Sequence, residues 1–315
     1  MRYKEFGKTG MNVSQMCLGT WGFGGVGWDN YPTETRMDAL WAAVEKGINF
    51  LDTAPAYNGG AAEEFLGNAL KEIGRERFLI TTKTGNEFVN PTTYRRCGHR
   101  EDIIRICEDS LRRLQTDYID LLLVHWPDPE VDVKETMSAM QYLKDTGKIR
   151  HIGVSNFSKA QIEEGLEVSD IEALEPQFSM VHTTDMELMK WTASKGIANM
   201  TYGSIGGGIL TGKYRTLPKD FIESDSRNRF YKHFHEPMFS QVMKLLKVCD
   251  EIAEQRGVPV VQVAINWADQ RDYVHTCIIG AQTRDKIEQN CASFDWELTP
   301  EEITRLDEAE TKYIQ

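Results

Sequence analysis

The chain has 315 residues, of which 36 are Lys or Arg and 48 are Asp or Glu, giving a net charge of −12; a surface of that sign repels a phosphate backbone and excludes nucleic acid as the expected partner. Hydrophobic residues make up 41% and charged residues 27%, a globular balance too apolar for disorder. The length suits two ordinary domains or one large α/β barrel.

No apolar run approaches the roughly 18 residues of a membrane helix; Ile119 to Val124, for example, is interrupted by Asp120. The opening residues Met1 to Gly7 carry no apolar signal segment, so a cytoplasmic protein is expected. Cys17, Cys97, Cys107, Cys249, Cys277 and Cys291 never approach a Cys-x-x-Cys spacing and read as free thiols, with no metal cage.

Along the chain, Tyr3–Phe6 and Val13–Gln15 flank the turn-rich Gly7-Lys8-Thr9-Gly10, which predicts a small hairpin able to plug a barrel bottom. Strands follow at Met16–Gly19, Asn49–Asp52, Leu79–Lys83, Ile119–His125, Ile149–Ser155, Ala173–Pro176, Ala198–Tyr202 and Thr276–Gly280. Between them, apolar residues recur every three or four positions over Thr35–Lys46, Ala61–Ile73, Arg100–Leu114, Val133–Thr146 and Lys159–Leu166, the pattern of crossover helices. The irregular stretch from Gly203 to Pro237, with Gly206-Gly207-Gly208 and Pro218, reads as a lid. Eight βα repeats without a linker predict one (β/α)8 barrel domain over residues 1–315. A doubly wound sheet is the alternative, but the first strand runs into Gly19-Thr20-Trp21-Gly22-Phe23-Gly24 rather than a Gly-x-Gly-x-x-Gly turn.

Polar residues closing apolar barrel strands converge on the face where barrel enzymes do chemistry. Asp52, Lys83 and His125 sit in that position, and Tyr57 follows Asp52 by five residues. Singly, each reads as an ion pair or a satisfied histidine. Together they describe a proton-transfer device: a phenol, with a solution pKa of about 10, donates near neutrality only if its anion is stabilised. Lys83 offers that charge, Asp52 holds Lys83 protonated, and His125 offers a hydrogen bond to a substrate oxygen.

The chain resembles the aldo-keto reductases over essentially its full length. The resemblance rests on Asp52-Thr53-Ala54-Pro55-Ala56-Tyr57 with Gly59-Gly60 and Glu63-Glu64-Phe65-Leu66-Gly67, on Thr82-Lys83-Thr84, on His125-Trp126-Pro127-Asp128, and on Gly147-Lys148-Ile149-Arg150 with Gly153-Val154-Ser155-Asn156-Phe157. It implies a nicotinamide-dependent carbonyl reductase with Tyr57 as general acid, Lys83 and Asp52 tuning it, and His125 orienting an aldehyde, ketone or sugar carbonyl. It further implies that Ser155, Asn156 and Gln177 hold the carboxamide, that Tyr202 stacks on the nicotinamide, and that Gly19, Thr20, Trp21 and Asp52 complete that end. Gly203, Ser204, Ile205, Gly206 and Gly208, with Lys213 and Arg227, match the pyrophosphate loop. Gly280, Gln282, Thr283, Lys286, Gln289 and Asn290 match the adenosine end, with Arg284 and Lys286 the cations for a 2′-phosphate; NADP is the expected cofactor and NAD the alternative. The reaction needs no metal.

Three departures from the family pattern stand out: Asn58 where Gly is common, Ser204-Ile205 in place of Pro-Leu, and Ile279 where many members have Pro. Trp21, Phe23, Trp28, Trp126 and Tyr231 predict aromatic walls at the mouth, with Trp21, Tyr57, His125 and Trp126 the expected substrate contacts. His233 and His235 read as solvated loop histidines. Two rival functions are a nicotinamide-binding regulatory subunit with little turnover and a class I aldolase with Lys83 as Schiff-base lysine. Monomer and homo-oligomer both remain open.

Overall fold

A computed structural model describes residues 1–25, 27–90, 93–219, 221 and 225–315. The chain opens with an antiparallel pair, β1 (Tyr3–Glu5) and β2 (Asn12–Ser14). Strands then alternate with helices: β3 (Met16–Gly19), α1 (Thr33–Glu45), β4 (Phe50–Asp52), α2 (Ala61–Ile73) and β5 (Leu79–Thr84). A second antiparallel pair, β6 (Asn86–Asn90) and β7 (Thr93–Arg96), leads to α3 (Arg100–Leu114), β8 (Ile119–Val124), α4 (Val133–Asp145), β9 (Ile149–Ser155) and α5 (Lys159–Gly165). The remainder holds β10 (Ala173–Glu175), α6 (Met186–Ser194), β11 (Ala198–Thr201), α7 (Ser226–Phe230), α8 (Met238–Arg256), α9 (Val260–Asp269), β12 (Thr276–Gly280), α10 (Arg284–Cys291) and α11 (Pro300–Tyr313).

Strands β3, β4, β5, β8, β9, β10, β11 and β12 pair in that order and close into a parallel barrel, β12 returning to β3. This is the expected (β/α)8 architecture. Register sets the chemistry-bearing rim: Gly19 lies opposite both Asp52 and Gly280, Asp52 opposite Thr81, and Glu175 opposite Ser155. The polar strand ends therefore share one level of the barrel.

Parallel barrel strands are covered on both faces, so runs such as Leu121 to Val124 are apolar. The exception in β8, Asp120, sits only 1% exposed and is satisfied by Arg75 at 2.7 Å, Arg150 at 3.3 Å and the Ile80 N–H at 2.9 Å. At the opposite end from the rim, Phe6 and Val13 of the opening hairpin are fully buried against Cys17, Phe50, Leu121 and Leu123, which makes the hairpin the expected plug. Outside the barrel, α2 lies against α3 so closely that a Cβ on Gly67 would come within 2.2 Å of the Arg113 carbonyl oxygen. Buried Glu63 beside it accepts from Arg113 Nε at 2.7 Å.

Two points differ from the sequence reading. The 203–237 stretch is not structureless, because 206–211 and 232–234 form tight helical turns and α7 lies between them. The β6–β7 pair was not expected. All six cysteines are free and buried, as anticipated. No helix among the described residues is long and apolar enough to cross a membrane.

Candidate active site

The rim of the barrel opens into a cavity of about 920 Å³, at the upper end of the range typical of ligand pockets. Its wall includes Gly19, Trp21, Asp52, Tyr57, His125 and Trp126 at one end. Ser155, Asn156, Tyr202, Gly203, Ser204 and Ile205 follow, and Gly208, Lys213, Arg227, Gly280, Gln282, Lys286, Gln289 and Asn290 extend it. Sequence separations of up to 271 residues thus collapse into one trough.

At its centre, Lys83 is fully buried at the end of β5, beneath the wall rather than on it. Its ammonium donates to Asp52 Oδ2, to the Thr53 carbonyl at 3.1 Å and to the Tyr57 hydroxyl at 3.2 Å. Tyr57 in turn donates to Asp52 Oδ1 at 3.4 Å. The ring of Tyr57 stacks on Trp21, with centroids 5.7 Å apart at 16°, and meets His125 edge-on at 6.2 Å. Asn58, beside it, adopts a left-handed φ of 53° and anchors through Nδ2 to the Gly24 carbonyl at 2.7 Å. Asn is one of the few side chains that tolerate that conformation, which accounts for its standing where Gly is common.

Sequence reasoning missed Glu175. This residue closes β10, is 3% exposed, and brings Oε2 to 3.3 Å from Lys83 Nζ, in ion-pair range but without hydrogen-bond alignment. The signal was present, since Glu175 ends an apolar run just as Asp52 does. Two carboxyls thus face one ammonium.

Burial opposes the Lys83 charge, but Asp52 and Glu175 overcome it and hold its pKa well above the usual lysine value. Burial raises Asp52 despite the opposing pull of Lys83, and pushes Glu175 up to about 8. The Tyr57 phenol is also raised, first by burial and then by Asp52, with Lys83 only partly offsetting them. The cluster therefore keeps Tyr57 protonated, as a proton donor must be, and Lys83 is the group that opposes the rise. Burial and the charges of Lys83 and Arg96 hold His125 well below the usual imidazole value, so its ring is neutral at pH 7.

The other expected residues divide. Tyr202 donates to Asn156 Oδ1 at 2.9 Å, and Asn156, at φ 60°, donates to the His125 carbonyl and to Ser155 Oγ, both at 2.9 Å. Thr20, Gln177, Gly206 and Thr283 do not reach the wall. Thr20 is buried and donates to the Asp52 carbonyl at 2.8 Å. Gln177 pairs through its backbone with Tyr202, the Gly206 carbonyl faces His233 Nε2 at 2.7 Å, and the Thr283 hydroxyl caps α10. Ser204 donates to the Thr201 carbonyl at 2.9 Å, and Ile279 is buried in the core.

Three further expectations fail. Arg284 is not on the wall; it pairs with Asp38 and Glu45 on α1 at 2.7 and 2.6 Å. Phe23 is buried against Phe65 rather than lining the mouth. His233 is 3% exposed, not solvated. Trp28 and Tyr231 do line the cavity, and Tyr31 accepts from Lys286 Nζ at 3.1 Å.

The family model described as the aldo/keto reductase family matches residues 15–311. An aldo-keto reductase of Bacillus subtilis, YhdN, is 36% identical over 96% of this chain and 91% of its own length. A probable voltage-gated potassium channel subunit beta of Arabidopsis thaliana is 31% identical over 94% of this chain and 92% of its own. Among solved structures, a glycerol dehydrogenase from Gluconobacter oxydans superposes with a TM-score of 0.86 at 30% identity, covering 100% of this chain and 95% of that one. With matches that span nearly every residue of the closed barrel and its rim cluster, the chain belongs to the aldo/keto reductase family of oxidoreductases.

Proposed function

We propose that the protein is an NADP-dependent carbonyl reductase in which Tyr57 gives its proton to the carbonyl oxygen of an aldehyde, ketone or sugar. The observation that carries this reading is the Tyr57 hydroxyl on the cavity wall, 3.2 Å from a fully buried Lys83 ammonium and beside a neutral His125. When bound, the cofactor supplies the hydride. Tyr57 supplies the proton from its hydroxyl, Lys83 compensates the phenolate that remains, and Asp52 keeps Lys83 charged and in place. A neutral imidazole still has one N–H to donate, so His125 orients the carbonyl.

The trough fits a dinucleotide phosphate on its own geometry. Gly203, Gly206, Gly207 and Gly208 have φ of 68°, 58°, 61° and 98°; the Gly206 and Gly208 N–H groups bond the Gly203 and Ile205 carbonyls at 2.7 and 3.0 Å, which tightens the loop, and Gly203, Gly207 and Gly208 bring backbone without side chains to the wall. A Cβ on Gly208 would meet nothing nearer than Tyr214 at 3.9 Å, so that face is open for close approach. Lys213, Arg227 and Lys286 bring positive charge to the same part of the wall. Arg227 is itself tied to Asp225 at 2.7 Å and Asp29 at 3.2 Å, which fixes its position across the trough. Cytoplasmic location and a single barrel domain accord with this reading.

Cofactor choice then rests on Lys286 alone of the two cations expected at the adenosine end. Lys286→Ala is expected to raise the NADPH dissociation constant about tenfold, the worth of one charge-assisted bond, and to leave NADH nearly unchanged. Arg284→Ala is expected to change neither, because its partners lie on α1. Equal small effects of Lys286→Ala on both cofactors would transfer the preference to NAD.

Glu175 is a positioning residue in this scheme, acting through Lys83. Its folded pKa of about 8 lies above the usual 4.5, so near pH 7 it is mainly protonated and loses its proton as pH rises through 8. That ionisation adds a negative charge near Tyr57 and weakens the phenol as an acid. Reductive kcat/KM is expected to fall above pH 8, and Glu175→Gln is expected to move that limb upward while keeping activity at pH 7. An unchanged limb in the Gln variant removes Glu175 from the scheme.

Turnover with a panel of aldehydes, ketones and sugars, followed by NADPH consumption, tests the reading as a whole. Tight cofactor binding with negligible turnover on every carbonyl would favour the regulatory-subunit alternative. The aldolase alternative requires a free amine, whereas Lys83 is an ammonium held by three hydrogen bonds with no exposed surface.

A further inference from the structure

The catalytic end of the trough carries positive charge on a protein of net charge −12. Strand alternation on β7 puts Tyr94 and Arg96 on the cavity wall and leaves Arg95 on the other face. Arg95 is neutralised there by Glu87 at 2.5 Å. Arg96 has no such partner: Nη1 donates to Asn86 Oδ1 at 3.0 Å, the guanidinium lies 4.8 Å above the Trp126 ring, and no ion pair forms with it among the described residues. The one acid that acts on it, Asp128, already accepts from the Gly98 N–H at 2.9 Å and the Glu130 N–H at 3.0 Å.

Arg96 is also close enough to the reacting end for its charge to act on His125. A second arginine, Arg229 of α7, lines the same cavity, and its charge acts on Tyr94. The acids of the wall are committed elsewhere: Asp52 and Glu175 face Lys83, and Asp29 pairs with Arg227. The cation–π contact with Trp126 and the bond to Asn86 restrain the Arg96 guanidinium and leave its other N–H groups for an oxyanion.

Resting on the carbonyl-reductase reading above, we propose that the preferred substrates carry an anionic group, a carboxylate or a phosphate, close to the reacting carbonyl, and that Arg96 binds that group. The anionic group takes no part in the bond changes. Its oxygens accept from the guanidinium, which fixes the distance and direction of the carbonyl relative to Tyr57 and His125. Carboxylate and phosphate share this chemistry, and matched probes separate them.

The test compares kcat/KM for butanal with succinic semialdehyde, and for glyceraldehyde with glyceraldehyde 3-phosphate, in the parent, Arg96→Met, Arg96→Lys and Arg95→Met. One charge-assisted bond is worth about 1.5–3 kcal/mol, or roughly tenfold to a hundredfold in affinity. The parent is expected to favour the anionic member of at least one pair by at least about tenfold, mostly through KM; the pair that responds names carboxylate or phosphate. Arg96→Met is expected to abolish that preference, Arg96→Lys to keep part of it, and Arg95→Met to match the parent. A parent that turns over both members of each pair equally well overturns the proposal and leaves the reductase reading standing. If no carbonyl is turned over, that reading fails by itself, and binding decides the present one. Butyrate and glycerol 3-phosphate, titrated against tryptophan fluorescence, are then expected to bind the parent at least about tenfold more tightly than Arg96→Met. Equal binding to both overturns it.

Discussion

Replacing Tyr57 by Phe is expected to lower kcat for carbonyl reduction by about 10²–10⁴-fold, the usual worth of a positioned general acid. The change removes one oxygen and little else. The ring keeps its stack on Trp21, and Lys83 retains Asp52, the Thr53 carbonyl and Glu175 as partners, so the fold and the trough survive. Cofactor dissociation constants are therefore expected to stay within about twofold of the parent, while kcat falls far more than KM rises. Because burial and Asp52 keep the phenol pKa above its ordinary value, the parent hydroxyl is protonated across the neutral range, and its loss cannot be rescued by a shift of a unit or two in pH. Reduction by the Phe variant within about a factor of two of the parent would remove Tyr57 from the role of proton donor.

How far this site was legible in the sequence depended on how local the determining contacts are. Strands β3, β9 and β12 and helices α2 and α3 end where the apolar patterns end, because burial on a barrel is read residue by residue from those patterns. Asp52, Lys83 and His125 were visible because each closes such a run. The same rule applied to Ala173-Leu174-Glu175 would have exposed Glu175, and the proline that follows it obscured the strand end. The β6–β7 hairpin escaped because all four residues of β7 are exposed, so no apolar alternation marks it.

Long-range pairing was beyond reach. Arg284 looked like a phosphate ligand from its place at the start of α10, yet its charge is consumed by Asp38 and Glu45, more than 230 residues away in the chain. Arg96 was invisible for the converse reason, since its lack of a carboxylate partner is a property of the folded hairpin. The phenol's acidity also needed the fold: the charges were identified correctly, but burial, the largest effect on the Tyr57 hydroxyl, and Asp52 together outweigh Lys83. Residues were legible where composition determines placement, and energies were not, because desolvation depends on every neighbour at once.

Replacing Lys83 by Met is expected to have the largest combined effect, on turnover and on stability together. The ammonium is fully buried between Asp52 and Glu175, so its removal leaves Asp52 without its counter-charge and Glu175 without the cation that favours its ionisation. Breaking a buried ion pair from one side costs about 3–5 kcal/mol. The pH dependence identifies the cause. Without Lys83 both carboxyls hold their protons more tightly folded than unfolded, so the variant is least impaired below about pH 4, where both states are protonated, and loses stability relative to the parent as pH rises through the neutral range. Thermal unfolding of parent and variant across that range measures the widening gap; a gap constant with pH would mean that lost packing, not lost charge, is responsible. Where the variant remains folded, Tyr57 loses the charge that partly offsets burial, its pKa rises further, and kcat falls because a weaker acid faces the carbonyl oxygen. Lys83→Arg separates the two effects: it restores the charge and hence the pH dependence of stability, while its larger planar head displaces the hydrogen bond to Tyr57, so turnover stays low.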